Sequence, residues 1–158
     1  MAKRKSVVTG ATGEHYVAYK LSAMGFVVAV PRGNSPAVDL LVATPDGSRV
    51  ISIQVKTSTG AWRDRKRKPA DSHWEFEVGR KAAEYESDAL YYAMVDLRWG
   101  SGEPDVFLMP SKLVAEWARR GIREKWTRHI MWIYPGDEYE PCEADSKNRW
   151  DLIKDALS

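Results

Sequence analysis

The first long pattern in the chain is helical. Over residues 9–25, apolar side chains such as Val17, Leu21 and Met24 recur at spacings of three and four, which is typical of a helix with one face on a core. Gly25 is of the residue type that most often ends a helix. We therefore predict a helix over this segment.

Three short segments after this helix have the character of β-strands. Residues 26–30 and 38–44 are rich in apolar and β-branched side chains, and residues 49–56 alternate polar and apolar positions. Between the last two segments, Pro45 and Gly47 suit the second and fourth positions of a type I turn. The second and third strands are therefore predicted to form an antiparallel hairpin.

The length of the hairpin loop decides which residues face each other. If an even-numbered loop closes symmetrically around Asp46 and Gly47, paired residues have numbers that sum to 93. Asp39 and Gln54 are then cross-strand neighbours, with Cβ atoms roughly 4.5 to 5.5 Å apart. An odd-numbered loop would destroy this alignment.

The rest of the chain predicts further strands and peripheral helices. The predicted strands are residues 73–78, 90–97 and 106–109, with a short polar helix through residue 84 after the first of them. Ser111 is predicted to cap a helix that ends at Gly121. The tail, residues 126–158, is expected to be an irregular, peripheral stretch with one short last helix. These elements together predict an α/β fold with a mixed central sheet of about five strands flanked by helices.

Length and composition are consistent with one soluble domain. A chain of 158 residues with 44% hydrophobic residues can bury a core without metal or disulfide support. A single cysteine, Cys142, cannot form an intramolecular disulfide, as is usual for a protein of the reducing cytoplasm. The sequence contains neither a signal-peptide pattern nor an apolar run long enough to span a membrane. We expect a cytoplasmic protein that spans residues 1–158 as one domain.

Charge is nearly balanced but unevenly distributed. The net charge is +2, from 24 basic and 22 acidic residues, which does not by itself indicate a nucleic-acid partner. Basic residues gather near the amino terminus, in the segment RDRKRK (residues 63–68) and over residues 119–128. Such runs are usually solvated loops. The segment 63–68 lies just after a strand with candidate chemistry, and we expect its side chains to contact DNA phosphates. These residues are Arg63, Arg65, Lys66, Arg67 and Lys68.

Two carboxylates stand at positions that need an explanation. Glu14 is spaced to share a helix face with Val17 and Leu21, although a place in the first helical turn would explain it by the helix dipole alone. Asp39 interrupts an otherwise apolar strand, where burying its charge costs free energy. Alternatively, Asp39 lies at the mouth of that strand, where water solvates its charge.

The third strand presents one polar face. Ser52, Gln54 and Lys56 share it by the two-residue period of a strand. Taken alone, this is the pattern of a strand with a solvent-exposed side. Together with Glu14 and Asp39, it places two carboxylates, an amide oxygen and an ammonium in one region. Oxygen ligands of this kind suit Mg²⁺ or Mn²⁺, and the lysine can orient water or balance phosphate charge.

The order of these motifs resembles the PD-(D/E)XK nuclease superfamily, and within it the small archaeal Holliday junction resolvases and related bacterial proteins. A helix ending in MGF carries Glu14, the loop RGNSPAVD leads to Asp39, and the strand ISIQVKTS contains Gln54 and Lys56. The specific likeness covers about residues 10–60. It implies a restriction-endonuclease-like core in which Glu14, Asp39 and Gln54 bind metal and Lys56 serves the attacking water.

The sequence departs from the family pattern at two places. The proline that usually precedes the aspartate stands at Pro36, with Ala37 and Val38 in between, and Gln54 replaces the usual acidic residue. An amide oxygen can ligate magnesium but adds no negative charge. The resemblance therefore implies weaker metal binding than in a site with three carboxylates.

Three hypotheses of different classes remain open from the residues. The leading one is a metal-dependent DNA endonuclease that uses direct attack of water on phosphate, and the resemblance adds the expectation of a homodimer that cuts two strands. The second, motivated by Gln54, is a nuclease fold that binds nucleic acid with weak or no cleavage. The third is an interaction module whose polar strand face is solvent-exposed.

Overall fold

The computed structural model describes residues 2–33 and 35–158, and gives side chains for residues 6–33 and 35–158. Met1 and Asn34 lie outside the described residues, and so does the loop position predicted for Asn34. The helices are α1 (Ala2–Ala23), α2 (Ser111–Arg123), α3 (Glu143–Ser146) and α4 (Asp151–Ala156). The strands are β1 (Val27–Ala29), β2 (Leu40–Ala43), β3 (Val50–Ser58), β4 (Trp62–Arg63), β5 (His73–Glu77), β6 (Leu90–Asp96), β7 (Asp105–Pro110) and β8 (Ile130–Ile133).

Five strands form the central sheet in the order β1-β2-β3-β6-β7. The pair β3 and β6 is parallel, and the other neighbours are antiparallel. Helices lie on both faces of this sheet. Helices α1 and α4 pack in the buried cluster on one face, and α2 packs in the cluster on the other. The predicted fold class, a mixed five-stranded sheet flanked by helices, is confirmed.

The predicted β2–β3 hairpin forms in the predicted register. Leu40 lies opposite Ile53 and Val42 opposite Ile51, so the paired numbers sum to 93. The side chain of Asp46 closes the turn, since its Oδ1 accepts hydrogen bonds from the Ser48 backbone amide at 3.1 Å and the Thr44 hydroxyl at 2.6 Å. Strand β2 starts at Leu40, later than predicted, and Asp39 stands at its mouth.

Helix α1 covers one face of the central sheet. Its buried residues Val17 and Leu21 pack with alternate residues of β2, β3, β6 and β7, and with Ile153 of α4. The helix begins at Ala2, well before the predicted start at residue 9, because Ala, Lys and Arg at its beginning are good helix formers. Glu14 is therefore not in the first turn, and the dipole explanation for it is wrong.

A second sheet, in the order β4-β5-β8, packs with α2 on the other face. Trp74 and Phe76 of β5 and Met131 and Ile133 of β8 supply its buried side. The sequence pattern did not predict this sheet: β8 lies in the tail that was expected to be irregular. Its partner β5 is far earlier in the chain, and a four-residue strand has little local signal.

The predicted ends of the second helix are wrong in two ways. Pro110 occupies the position before the helix, and the Ser111 hydroxyl instead donates to the Ser87 carbonyl at 2.9 Å. Gly121 lies inside α2, where a Cβ would come within 2.6 Å of the Trp126 ring. Gly121 thus permits a close contact and does not end the helix.

Among the described residues, no helix is long and apolar enough to cross a membrane.

Gly13 lets α1 approach β3 closely. A Cβ at this position would lie 2.0 Å from Thr57 Oγ1 and 2.9 Å from Thr57 Cβ. Rotating the threonine side chain cannot relieve the second contact, because its Cβ is fixed by the backbone. This contact sets the distance between the helix that carries Glu14 and the strand that carries Lys56.

We predict that Gly13→Ala lowers the free energy of unfolding by about 1–3 kcal/mol, the usual cost of overpacking. Gly10→Ala is the matched control, because nothing lies within 4 Å of its Cβ position. It should raise the free energy of unfolding by about 0.5–1 kcal/mol through helix propensity. Urea unfolding of both variants measures the difference. Equal stabilisation by the two changes would contradict the close approach.

Candidate metal and phosphodiester site

Asp39 and Gln54 meet where the β2–β3 hairpin opens. The backbone amide of Asp39, just before β2, donates to the Ile53 carbonyl at 2.9 Å. The Asp39 Oδ2 atom accepts hydrogen bonds from the Val55 backbone amide at 2.7 Å and from the Gln54 side-chain amide. The register therefore brings the predicted cross-strand pair into direct contact.

The Gln54 amide is oriented by this contact. Its nitrogen donates to Asp39, so the carbonyl oxygen of the same amide is the atom left to meet a ligand. Both hydrogen bonds to Asp39 end on Oδ2, and a ligand of this carboxylate would be met by Oδ1. Gln54 is only 8% exposed, so the hypothesis of an ordinary solvent-facing strand side does not describe this position.

Glu14 adds a second negative charge to the site. Burial raises the pKa of Glu14 above its ordinary value, the charge of Asp39 raises it further, and nearby His15 acts in the opposite direction. The two carboxylates are thus close enough to repel each other. A cation between them would remove this repulsion.

Lys56 supplies the opposite charge. Burial raises the pKa of Asp39, while the hydrogen bond from Val55 and the positive charge of Lys56 lower it. Tyr92, which pairs with Gln54 across the parallel strands, has its pKa raised by burial and by Asp39. Asp39 is therefore the electrostatic centre of the group, with Glu14, Lys56 and Tyr92 all within its influence.

The donor set is of the type that hard divalent cations accept, namely carboxylate and amide oxygens. The charge on it is low: no group of three His, Cys, Asp or Glu side chains in the described part of the chain is placed to hold a metal ion. Gln54 stands beside Asp39 and contributes no charge. The residues fit Mg²⁺ or Mn²⁺ with two negative charges at most.

Lys56 also lines a crevice between β3 and the second sheet. The crevice has a volume of about 330 Å³, and Arg63 and Arg128 line it together with Glu75 and Glu77. Arg63 pairs with Glu75 at 3.0 Å and Arg128 with Glu77 at 2.7 Å. From the sequence, Arg128 was interpreted as part of a solvated run of charges. Its ion pair with Glu77 of β5 depends on the distant pairing of β5 with β8, which no local pattern indicates.

The basic segment after β3 does not form one uniform surface. Arg63 belongs to β4 and the crevice, and Arg65 reaches Glu75 at 3.7 Å. Lys68 lies 4.0 Å from Asp71. Among the described residues, no ion pair is formed by Lys66 or Arg67, and both are exposed. Of the five residues predicted to contact DNA, four line a separate cavity of about 740 Å³ together with Trp132 and Tyr134. These four are Arg65, Lys66, Arg67 and Lys68.

The architecture of the chain recurs in a solved protein structure. No family model and no curated protein matches the sequence. Among solved structures, the chain is similar to the bacterial homing endonuclease I-Ssp6803I, with a TM-score of 0.62 and 14% sequence identity. The match covers 96% of this chain and 93% of that one, so the shared fold extends over nearly the whole of both chains. At this identity the likeness concerns the fold.

Glu14 should make stability depend on pH in metal-free buffer. Its pKa is raised in the folded state, so the folded protein keeps this proton to higher pH than the unfolded chain does. The free energy of unfolding therefore falls as pH rises from the unfolded-state value, about 4.5, through the folded-state value. Glu14→Gln removes this titration, and its stability advantage over the wild type should grow across that window.

Urea unfolding from pH 4 to 8 in the presence of EDTA measures this difference. Glu116→Gln, which removes a charge from the exposed surface of α2, is the control. A pH-dependent advantage of the same size in both variants would show that the effect is general charge and not the Glu14–Asp39 pair.

Proposed function

We propose that this protein is a metal-dependent DNA endonuclease of the PD-(D/E)XK type. The observation that carries the proposal is the contact of Asp39 with Gln54 at the mouth of the β2–β3 hairpin, with Glu14 and Lys56 within electrostatic range of Asp39. The likeness of the whole fold to a homing endonuclease supports DNA as the substrate class. We also propose that the protein acts as a homodimer, since two copies together would account for cleavage of both DNA strands.

Glu14, Asp39 and the Gln54 carbonyl would hold Mg²⁺ or Mn²⁺. When bound, such an ion acidifies a water molecule and neutralises charge on the phosphate. The protein contributes geometry: the Val55 amide and the Gln54 side chain fix the Asp39 carboxylate. A fixed ligand needs no reorganisation when charge develops during the reaction.

Lys56 is proposed to act on the phosphate side of the site. Its ammonium lies within electrostatic range of Asp39 and also lines the crevice beside β5. There it can orient the attacking water or balance the negative charge that grows on the scissile phosphate. Arg63 and Arg128 lie in the same crevice and supply donors for the adjacent phosphates.

The unpaired positive charges of Lys66 and Arg67 extend this surface away from the site. Phosphate contacts of this kind are independent of sequence and weaken as salt rises. The paired arginines contribute less, because Glu75 and Glu77 already neutralise part of their charge. The DNA is therefore expected to bind with a modest salt dependence.

A second candidate function is DNA binding with little or no cleavage. The observation that favours it is the low charge of the donor set, since only two carboxylates, Glu14 and Asp39, stand in it and Gln54 uses its nitrogen to hold one of them. Under this function, binding falls with salt and no product forms with any metal.

Cleavage of a panel of linear, nicked, branched and single-stranded DNAs in Mg²⁺ or Mn²⁺ tests the proposal directly. We expect wild-type protein to cut at least one of these, and Asp39→Ala and Lys56→Ala to reduce the rate by about 10²–10³-fold, as for the loss of a charge-stabilising group. Product formation on a denaturing gel is the measurement.

Lys154→Ala is the matched control, because Lys154 is an exposed lysine on α4 that belongs neither to the candidate site nor to the crevice beside it. It should cut at the wild-type rate. All variants are checked for folding by circular dichroism. Binding of the panel without cleavage by wild type would favour the second candidate, and equal cleavage by wild type and Lys56→Ala would contradict the proposed site.

The charge of the donor set can be changed at one position. Gln54→Glu removes the donor to Asp39 and places a third carboxylate in a buried position, so without metal we expect a loss of about 1–3 kcal/mol in the free energy of unfolding. With metal the same carboxylate becomes a charged ligand, and the variant should need less Mg²⁺ for half-maximal cleavage than wild type.

The measurements are thermal unfolding and cleavage, each across a Mg²⁺ titration. Gln54→Met keeps the length of the side chain but offers no oxygen, and it should gain nothing from metal in either measurement. A Gln54→Glu variant that Mg²⁺ does not stabilise would place the metal elsewhere.

A further inference from the structure

A third and larger cavity lies on the outer side of the second sheet. It has a volume of about 970 Å³ and extends from β8 to the end of α2 and the segment after it. Because Met131 and Ile133 point into the core, the two-residue period of the strand puts Trp132 on this outer side. Five aromatic residues line the cavity, and they are Trp117, Trp126, Trp132, Tyr134 and Tyr139.

This cavity is continuous with the surfaces already described. Arg128 and Ile130 line both it and the Lys56 crevice. Asp71, Trp132 and Tyr134 line both it and the cavity of the basic segment. A nucleic acid strand that contacts Lys56 and the basic segment would therefore pass its edge.

Three of the tryptophan rings in the cavity contact neighbouring side chains. The Arg120 guanidinium lies 5.9 Å from the Trp117 ring centre and 5.8 Å from that of Trp126. The centre of the Trp132 ring is 5.0 Å from that of His73, which is buried. Trp132 is nevertheless 41% exposed and Tyr139 59% exposed. Supported rings that stay open to solvent are suited to stacking with a planar ligand.

We propose that this cavity binds an unpaired nucleobase of the DNA that the site cleaves, and the inference rests on the proposed function. Stacking on Trp132 and Tyr139 would hold the base. The carboxylate of Glu140 at the wall can accept from an amino group on the base edge. The positive residues of the adjoining surface complement the phosphates on either side. The substrate class is then DNA with an extruded, branched or single-stranded nucleotide, and not a fully paired duplex.

Binding in EDTA, where the proposed cleavage cannot occur, tests this inference. The probes are two duplexes of one sequence, one with 2-aminopurine paired to thymine and one with the same 2-aminopurine unpaired. Wild-type protein should bind the unpaired probe about 5- to 100-fold more tightly, the range expected for stacking of one base, and should quench its fluorescence.

Trp132→Ala should abolish this preference, so that the two probes bind with equal affinity, and should abolish the quenching. Tyr139→Ala, a change at a more exposed residue outside the strands, should reduce the preference independently and covers the case that Trp132→Ala fails to fold. Tyr19→Ala is the control, because Tyr19 is an exposed aromatic residue on α1, across the central sheet from the cavity.

The possible outcomes separate the two proposals. Equal binding of both probes by wild type overturns the base cavity and leaves the endonuclease proposal standing. A preference that survives both Trp132→Ala and Tyr139→Ala also overturns it. Binding of neither probe, together with no cleavage of the DNA panel, overturns the proposed function and this inference with it.

Discussion

The register of the β2–β3 hairpin is the constraint on which the candidate site depends. With paired numbers that sum to 93, the ladder reaches Leu40 and Ile53, and the next residue, Asp39, contacts Gln54. One oxygen of its carboxylate accepts from both the Gln54 side-chain amide and the Val55 backbone amide. A shift of one residue would turn the Gln54 and Lys56 side chains toward the core under α1 and bring Ile53 and Val55 to the site. The same buried aliphatic residues that hold α1 therefore also fix which polar side chains meet.

The parts that were predictable from the sequence depend on local rules. The turn around Asp46 and Gly47 and the alternation along β3 were enough to place Asp39 beside Gln54. The second sheet was not predictable in this way, because β8 is short and pairs with a strand far earlier in the chain. Arg128 reaches the Lys56 crevice only through that sheet. Gly121 was misinterpreted since its packing against Trp126 is a tertiary contact that outweighs its usual place at helix ends.

Gln54 affects both the negative charge of the site and the way in which Asp39 is held. An acidic residue there would repel Asp39 and depend on a cation for its stability, whereas the amide holds Asp39 through a hydrogen bond in the absence of any ion. In the proposed metal site, the Asp39 carboxylate would thus already be in position before a metal ion binds. This preorganisation would partly offset the lower negative charge, because the ligand oxygens would not have to be gathered at the moment of binding.

The parallel pairing of β3 with β6 has a consequence for how such a protein can diverge. A parallel neighbour requires a crossover connection, and here that connection contains β4, the basic segment and β5. The basic segment proposed to meet DNA is therefore part of an excursion from the sheet and lies outside the hairpin that brings Asp39 to Gln54. Under the proposed function, insertions and substitutions in this excursion would alter which DNA is accepted while the chemistry is inherited unchanged.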